Sequence, residues 1–172
     1  MLTDAIQADP IAWLGPQHVA AFGSNPRLLT KLLDAGERLF VHAHPDDEFA
    51  ARHHFANGKA EAWFVIAGGP VHLGLREPVT TADLLQLAVT QDTDQLLGLL
   101  HETQVQPGDV VAVPPGVLHA IGAGVFVVEL QQAADLSILL EWKGFPIDGL
   151  ADGNLGLGLH VAIEAVLSLI HI

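Results

Sequence analysis

The sequence predicts a mainly β domain, a barrel or a sandwich, with helices before it and a helical insert within it. Short apolar runs separated by Gly/Pro turns recur between residues 36 and 142, a pattern typical of antiparallel β-structure. Two of these runs end in histidines, so the strands also carry the polar groups of a site. The chain has 172 residues, of which 50% are hydrophobic, enough for one domain with a real core.

Residues 1–35 are predicted to form an N-terminal helical segment. Thr3 or Asp4 can cap one short helix, and Gly15-Pro16 can begin a second. A third helix is predicted after Pro26, because four leucines recur there at helical spacing and would form a buried stripe. These are Leu28, Leu29, Leu32 and Leu33.

Residues 36–142 are predicted to form the β domain. Its strands are expected at 39–44, 60–66, 71–75, 110–113, 125–131 and 136–142, with a helical insert at about 81–100. Residues 143–172 are expected to be a C-terminal extension, with a helix at about 160–167. The last six residues match an in-frame translation of a common transposon-derived sequencing adapter, so we expect the natural chain to continue.

The composition argues against several classes of protein. The net charge of -13 argues against nucleic-acid binding, because phosphates require a basic surface. No apolar run approaches the roughly 20 residues that span a bilayer, and the first residues do not resemble a secretory signal. The chain has no cysteine, so thiolate metal sites and disulfides are excluded for these residues. We therefore expect a cytoplasmic protein without a membrane partner.

Three histidines are candidate metal ligands. His42 and His44 are two residues apart on a predicted strand, so their imidazoles point to the same face. His119 follows a rigid Pro114-Pro115-Gly116 turn. A fourth ligand could be Glu48 or Glu61. We favour Glu61, because a carboxylate among apolar strand residues is costly unless it is paired or bound to a metal.

Two further residues are candidates for catalysis. Lys59 shares a strand face with Glu61, where it could be a surface cation or could contact a substrate. Glu129 alternates in phase with Val127 and Gln131, so it can face the interior of the barrel.

The histidine blocks resemble the two signature motifs of the cupin superfamily, which implies a jelly-roll barrel. Within that superfamily, the segment from 28 to 142 resembles type I mannose-6-phosphate isomerases, and in particular a divergent bacterial isomerase-like subgroup. The blocks that carry this resemblance are residues 29–50, Gly58 to Trp63, Pro114 to Gly122, and Glu129-Leu130-Gln131.

The resemblance implies a ligand set and an active site. Family members hold zinc through Gln, His, Glu and His, and the corresponding residues here are His42, His44, Glu61 and His119. The family's active-site Lys and Glu correspond to Lys59 and Glu129. An active-site Arg of the family is replaced by an apolar residue in the block Asp135 to Trp142, near Leu139.

The implied activity is the metal-dependent interconversion of mannose 6-phosphate and fructose 6-phosphate, with Zn²⁺ as the cofactor and a small sugar phosphate as the partner. Two alternatives remain open. Three histidines and one glutamate also suit Fe²⁺ or Mn²⁺ in a cupin oxygenase. The missing Arg favours a sugar-phosphate-binding cupin without catalytic activity.

Overall fold

The computed structural model describes residues 1–167, which fold as two packed antiparallel sheets with helices around them. The strands are β1 Leu28–Asp34, β2 His42–Ala43, β3 Glu61–Ala67, β4 Gly69–Leu75, β5 Leu100–Val105, β6 Val110–Val113, β7 His119–Ile121, β8 Phe126–Gln132 and β9 Ile138–Leu139. The predicted mainly β barrel is confirmed. The predicted adapter-derived end, residues 167–172, lies outside the described residues except for Leu167.

One sheet has the strand order β1-β8-β3-β6, and the other has the order β5-β4-β7-β2-β9. Their inward faces share an apolar core to which Trp63 and Val127 contribute from the first sheet and Val71 and Ile121 from the second. These residues alternate with outward-facing residues along their strands, as the period of a β-strand requires. These apolar side chains therefore fill part of the space between the two sheets.

The helix predicted after Pro26 is wrong, because residues Leu28–Asp34 form strand β1. This strand pairs along its whole length with β8, in a register that sets Lys31 opposite Glu129. Helical spacing of leucines was misleading because a tertiary partner decides the conformation of so short a segment. The predicted buried stripe is also wrong, since Leu28, Leu29 and Leu32 are 54%, 41% and 73% exposed.

The helices are α1 Leu2–Ala8, α2 Pro10–Leu14, α3 Pro16–Phe22, α4 Asp47–Arg52, α5 Thr81–Thr90, α6 Thr93–Gly98, α7 Gly149–Asp152 and α8 Leu159–Ala162, the last continued by a 3₁₀ turn at Ile163–Ala165. Helices α5 and α6 form the predicted insert. Thr80 caps α5 by accepting a hydrogen bond from the Asp83 amide. Among the described residues, no helix is long and apolar enough to cross a membrane.

Two strands near the histidines are shorter than predicted. The first is regular only at His42–Ala43, and the last only at Ile138–Leu139. These two short strands pair with each other, so that His42 lies opposite Leu139. Strand β7 flanks β2 on its other side, with His119 opposite His42. The second sheet therefore presents its histidines toward the barrel interior with little regular structure around them.

Candidate metal centre

Three histidines converge inside the barrel. His42 lies on β2, His44 directly after it, and His119 on the neighbouring strand β7. One ring nitrogen from each lies within 4.8 Å of the others, and all three side chains are buried. The i, i+2 spacing places His42 and His44 on one face, and the pairing of β2 with β7 adds His119. The structure thus brings together the three histidines predicted from the sequence.

Backbone carbonyls orient each imidazole. The Nδ1 atoms of His42, His44 and His119 lie 3.0, 2.7 and 2.9 Å from the carbonyl oxygens of Phe40, Leu136 and Val117, respectively. A ring whose Nδ1–H donates to a carbonyl keeps a lone pair on Nε2, which is the tautomer that a metal requires. These contacts therefore direct the three Nε2 atoms to a common point.

Glu61 begins β3 in the opposite sheet and closes the cluster. Its Oε2 lies 3.2 Å from His44 Nε2, and its Oε1 lies 3.3 Å from His119 Nε2. The indole Nε1 of Trp63 donates a hydrogen bond to Oε1 at 3.0 Å. Burial alone would raise the pKa of Glu61, but the close approach of His119 and His44 outweighs burial and holds that pKa far below its usual range. Glu61 is therefore a carboxylate.

His42 and His44 are neutral in this environment. Burial lowers the pKa of His42 well below its ordinary value, and the neighbouring His119 and His44 lower it further. Burial also lowers the pKa of His44 to about 4, although the adjacent Glu61 carboxylate partly opposes this. Neutral imidazole is the form that binds metals, so His42 and His44 are ready for ligation near pH 7.

The donor atoms fit a divalent metal. His44 Nε2, Glu61 Oε2 and His119 Nε2 are buried and lack a hydrogen-bond partner with acceptable geometry. Buried polar atoms are seldom left this way, and three that face one another indicate an absent ligand. Three imidazole nitrogens and one carboxylate oxygen suit a first-row metal such as zinc, iron or manganese.

The alternative ligand Glu48 points away from the cluster. It lies on α4, where its Oε1 pairs with Arg52 Nη1 at 2.9 Å, and its side chain is 80% exposed. The preference for Glu61 over Glu48 agrees with this geometry.

Lys59 and Glu129 are both buried beside the cluster. Lys59 Nζ lies 3.4 Å from Glu61 Oε2, and the residue is only 5% exposed. Glu129 lies on β8 next to Trp63 of β3. Burial and the charge of Glu61 raise the pKa of Glu129, although Lys59 and Lys31 lower it.

Sequence reasoning did not identify Lys31 as part of the site. Its Nζ lies 3.5 Å from Glu129 Oε1, across the pairing of β1 with β8. The signal was hidden because this segment was assigned to a helix. Even for a strand, the sequence does not show which face of β1 is inward, because Leu29 and Leu33 flank Lys31 on one face and Leu28 and Leu32 flank Thr30 on the other.

A cavity of about 510 Å³ lies next to the histidines. Three of its lining residues touch the cluster. The ring of Phe40 meets His42 edge-on at 5.1 Å between centroids, the Leu136 carbonyl accepts from His44, and Ser137 Oγ lies 3.4 Å from His44 Nδ1. The cavity thus adjoins the Nδ1 side of His44, and not the Nε2 atoms that face the centre.

No protein-family model matches the chain. It is 33% identical over 159 residues to the mannose-6-phosphate isomerase of Streptococcus mutans, covering 88% of this chain and 48% of that protein. It is 37% identical over 117 residues to a mannose-6-phosphate isomerase of Bacillus subtilis, covering 66% of this chain and 36% of that protein.

The fold agrees with these sequence relatives. The crystal structure of a mannose 6-phosphate isomerase from Bacillus subtilis superposes with a TM-score of 0.69 at 28% identity, covering 94% of this chain and 51% of that one. The chain spans about half the length of the S. mutans relative and of this crystal structure. Over that half, this chain is similar in sequence and in fold to proteins named mannose-6-phosphate isomerase.

Proposed function

We propose that the protein is a metal-dependent aldose–ketose isomerase that interconverts mannose 6-phosphate and fructose 6-phosphate. The observation that carries the proposal is the buried His/His/Glu/His cluster with a lysine and a glutamate beside it. This cluster lies within the segment that the chain shares with proteins named mannose-6-phosphate isomerase. The cytoplasmic location stays a prediction from the sequence.

We assign His42, His44, Glu61 and His119 as the ligands of a zinc ion. When bound, zinc supplies Lewis acidity that polarises a substrate oxygen. The protein's part is to orient the imidazoles, through the Phe40, Leu136 and Val117 carbonyls. Trp63 adds a hydrogen bond that fixes the Glu61 carboxylate.

Lys59 supplies a fixed positive charge. A buried ammonium beside the ligand carboxylate stabilises negative charge that develops on a substrate oxygen as C1 and C2 exchange a proton. Its place is maintained by the backbone, since the Lys59 amide donates to the Pro45 carbonyl at 2.9 Å.

Glu129 is the proposed base that carries the proton between C1 and C2. It is 4% exposed, and its raised pKa brings it closer to the range in which a carboxylate exchanges protons efficiently near neutrality. Lys31 lies beside it, and the Lys31 side chain is 38% exposed, so this lysine is available to a substrate phosphate.

The position of the missing family Arg gives no replacement cation. Leu139 is 2% exposed on β9, where it pairs with His42. Lys31 beside Glu129 and Lys59 beside Glu61 are the cations that we propose for contact with the phosphate.

Two measurements on the untagged protein test the proposal. Elemental analysis identifies the bound metal, and a coupled assay follows the conversion of mannose 6-phosphate to fructose 6-phosphate. Zinc together with turnover is the expected result. Iron with oxygen uptake would instead support an oxygenase, and thermal stabilisation by mannose 6-phosphate without turnover would support a binding protein.

A further inference from the structure

The block Leu139-Leu140-Glu141-Trp142 stands where the relatives' Arg is expected, and its glutamate has an unexpected partner. Glu141 is 1% exposed and receives a bidentate pair of hydrogen bonds from Arg38, with Nη1 at 2.7 Å from Oε2 and Nη2 at 2.5 Å from Oε1. Desolvating two charges offsets most of what such a pair contributes to stability. The main effect of the Arg38–Glu141 pair is therefore sought in the groups that it holds in place.

The pair holds the chain that leads into the metal centre. The amide of Val41 donates to Glu141 Oε2 at 3.0 Å, and its carbonyl accepts from the Leu140 amide at 3.0 Å. Arg38 Nη1 also donates to the Leu39 carbonyl at 2.8 Å. Regular pairing in β2 begins only at His42. The Glu141 carboxylate therefore accepts the hydrogen bond of the Val41 amide that the backbone of a neighbouring strand would otherwise accept.

This segment determines where the His42 imidazole lies. The Nδ1 of His42 is oriented by the Phe40 carbonyl, one residue before Val41. The Phe40 ring packs edge-on between His42 and Phe145, and the Arg38 guanidinium lies 5.8 Å from the Phe145 ring centroid. The Arg38–Glu141 pair is thus connected to His42 in two ways, through the backbone of Val41 and Phe40 and through the Phe40 ring.

We infer that Arg38 and Glu141 are positioning residues for His42, and that they set its metal-binding nitrogen relative to those of His44 and His119. Neither residue touches the metal site itself. The inference rests on the proposed metal centre but does not require isomerase activity. The block in which the family's Arg is expected thus carries a positioning glutamate, Glu141, whose chemical role differs from that of the Arg.

The test uses Co²⁺ alone as the probe, with the purified full chain. Glu141→Gln and Arg38→Met are each expected to raise the dissociation constant for Co²⁺ by about 10- to 100-fold, as for other residues that orient metal ligands. The visible absorption of the Co²⁺-saturated protein should also change, because the coordination geometry changes. Arg38→Lys keeps the charge but not the two-pronged contact, and should lie between the parent and Arg38→Met.

Arg52→Met is the matched control, because it breaks an exposed ion pair with Glu48 away from the centre. It should leave Co²⁺ affinity and absorption unchanged. Parent-like Co²⁺ affinity and absorption in both Arg38→Met and Glu141→Gln would overturn the positioning role, whatever their stability in urea. That result would leave the proposed metal centre intact. If these two do not fold, Arg38→Lys decides by the same criteria. A parent chain that binds no Co²⁺ would overturn the metal centre together with the positioning role.

Discussion

Glu129→Gln removes the proposed base while nearly keeping its shape. Glutamine cannot accept the proton that moves between C1 and C2, so kcat should fall by about 10²- to 10⁴-fold. At roughly 1.36 kcal/mol per factor of ten, this adds about 3–5 kcal/mol to the barrier. Metal content should not change, because Glu129 is not one of the proposed ligands.

The same substitution should affect stability little. Burial already disfavours the charged form of Glu129, so a neutral amide avoids a desolvation cost. Its partner Lys31 has a side chain that is 38% exposed and remains solvated without the carboxylate. Loss of such a pair costs about 0–1 kcal/mol. We therefore expect Glu129→Gln to lower kcat by a far larger free-energy equivalent than it lowers the free energy of unfolding.

The assay is a pH profile of kcat for the parent, Glu129→Gln and Lys31→Met, with metal content measured in each. A base works deprotonated, so the parent should lose activity as the pH falls through the Glu129 pKa, which lies above its ordinary value of 4.5. Lys31 lowers that pKa, so Lys31→Met should move the acid limb to higher pH. Glu129→Gln with activity within tenfold of the parent and an intact acid limb would refute the assignment.

Three further results are expected. His42→Ala and His119→Ala should each reduce bound metal in elemental analysis, and full occupancy in both would disprove the centre. The metal should be lost as the pH falls toward the His44 pKa of about 4, because protons then compete with the metal for that ring; full occupancy well below that pH would contradict this. Gly58→Ala should lower the free energy of unfolding in urea by about 1–3 kcal/mol, since its Cβ would meet the Pro45 carbonyl oxygen at 2.6 Å. Gly36→Ala is the control, because its Cβ would meet nothing within 4 Å. Equal losses of stability in the two variants would contradict this prediction.

Much of the candidate site could be predicted because local rules apply to it. The spacing of His42 and His44 places both on one face of any extended segment. Glu61 could be preferred to Glu48 because a carboxylate among apolar strand residues needs a partner. The β1 strand could not be predicted in the same way, since seven residues with helical leucine spacing fit either conformation until β8 supplies hydrogen bonds.

By itself, the sequence determined the β architecture, the histidine pair, and the kind of metal centre to expect. Only the tertiary structure decided which other distant residues support that centre. Lys31 meets Glu129 through the register of β1 with β8, and Arg38 reaches Glu141 across 103 positions of the chain. The physical reason is that periodicity and turn chemistry act over a few residues, whereas strand register and buried ion pairs depend on how separate segments pack.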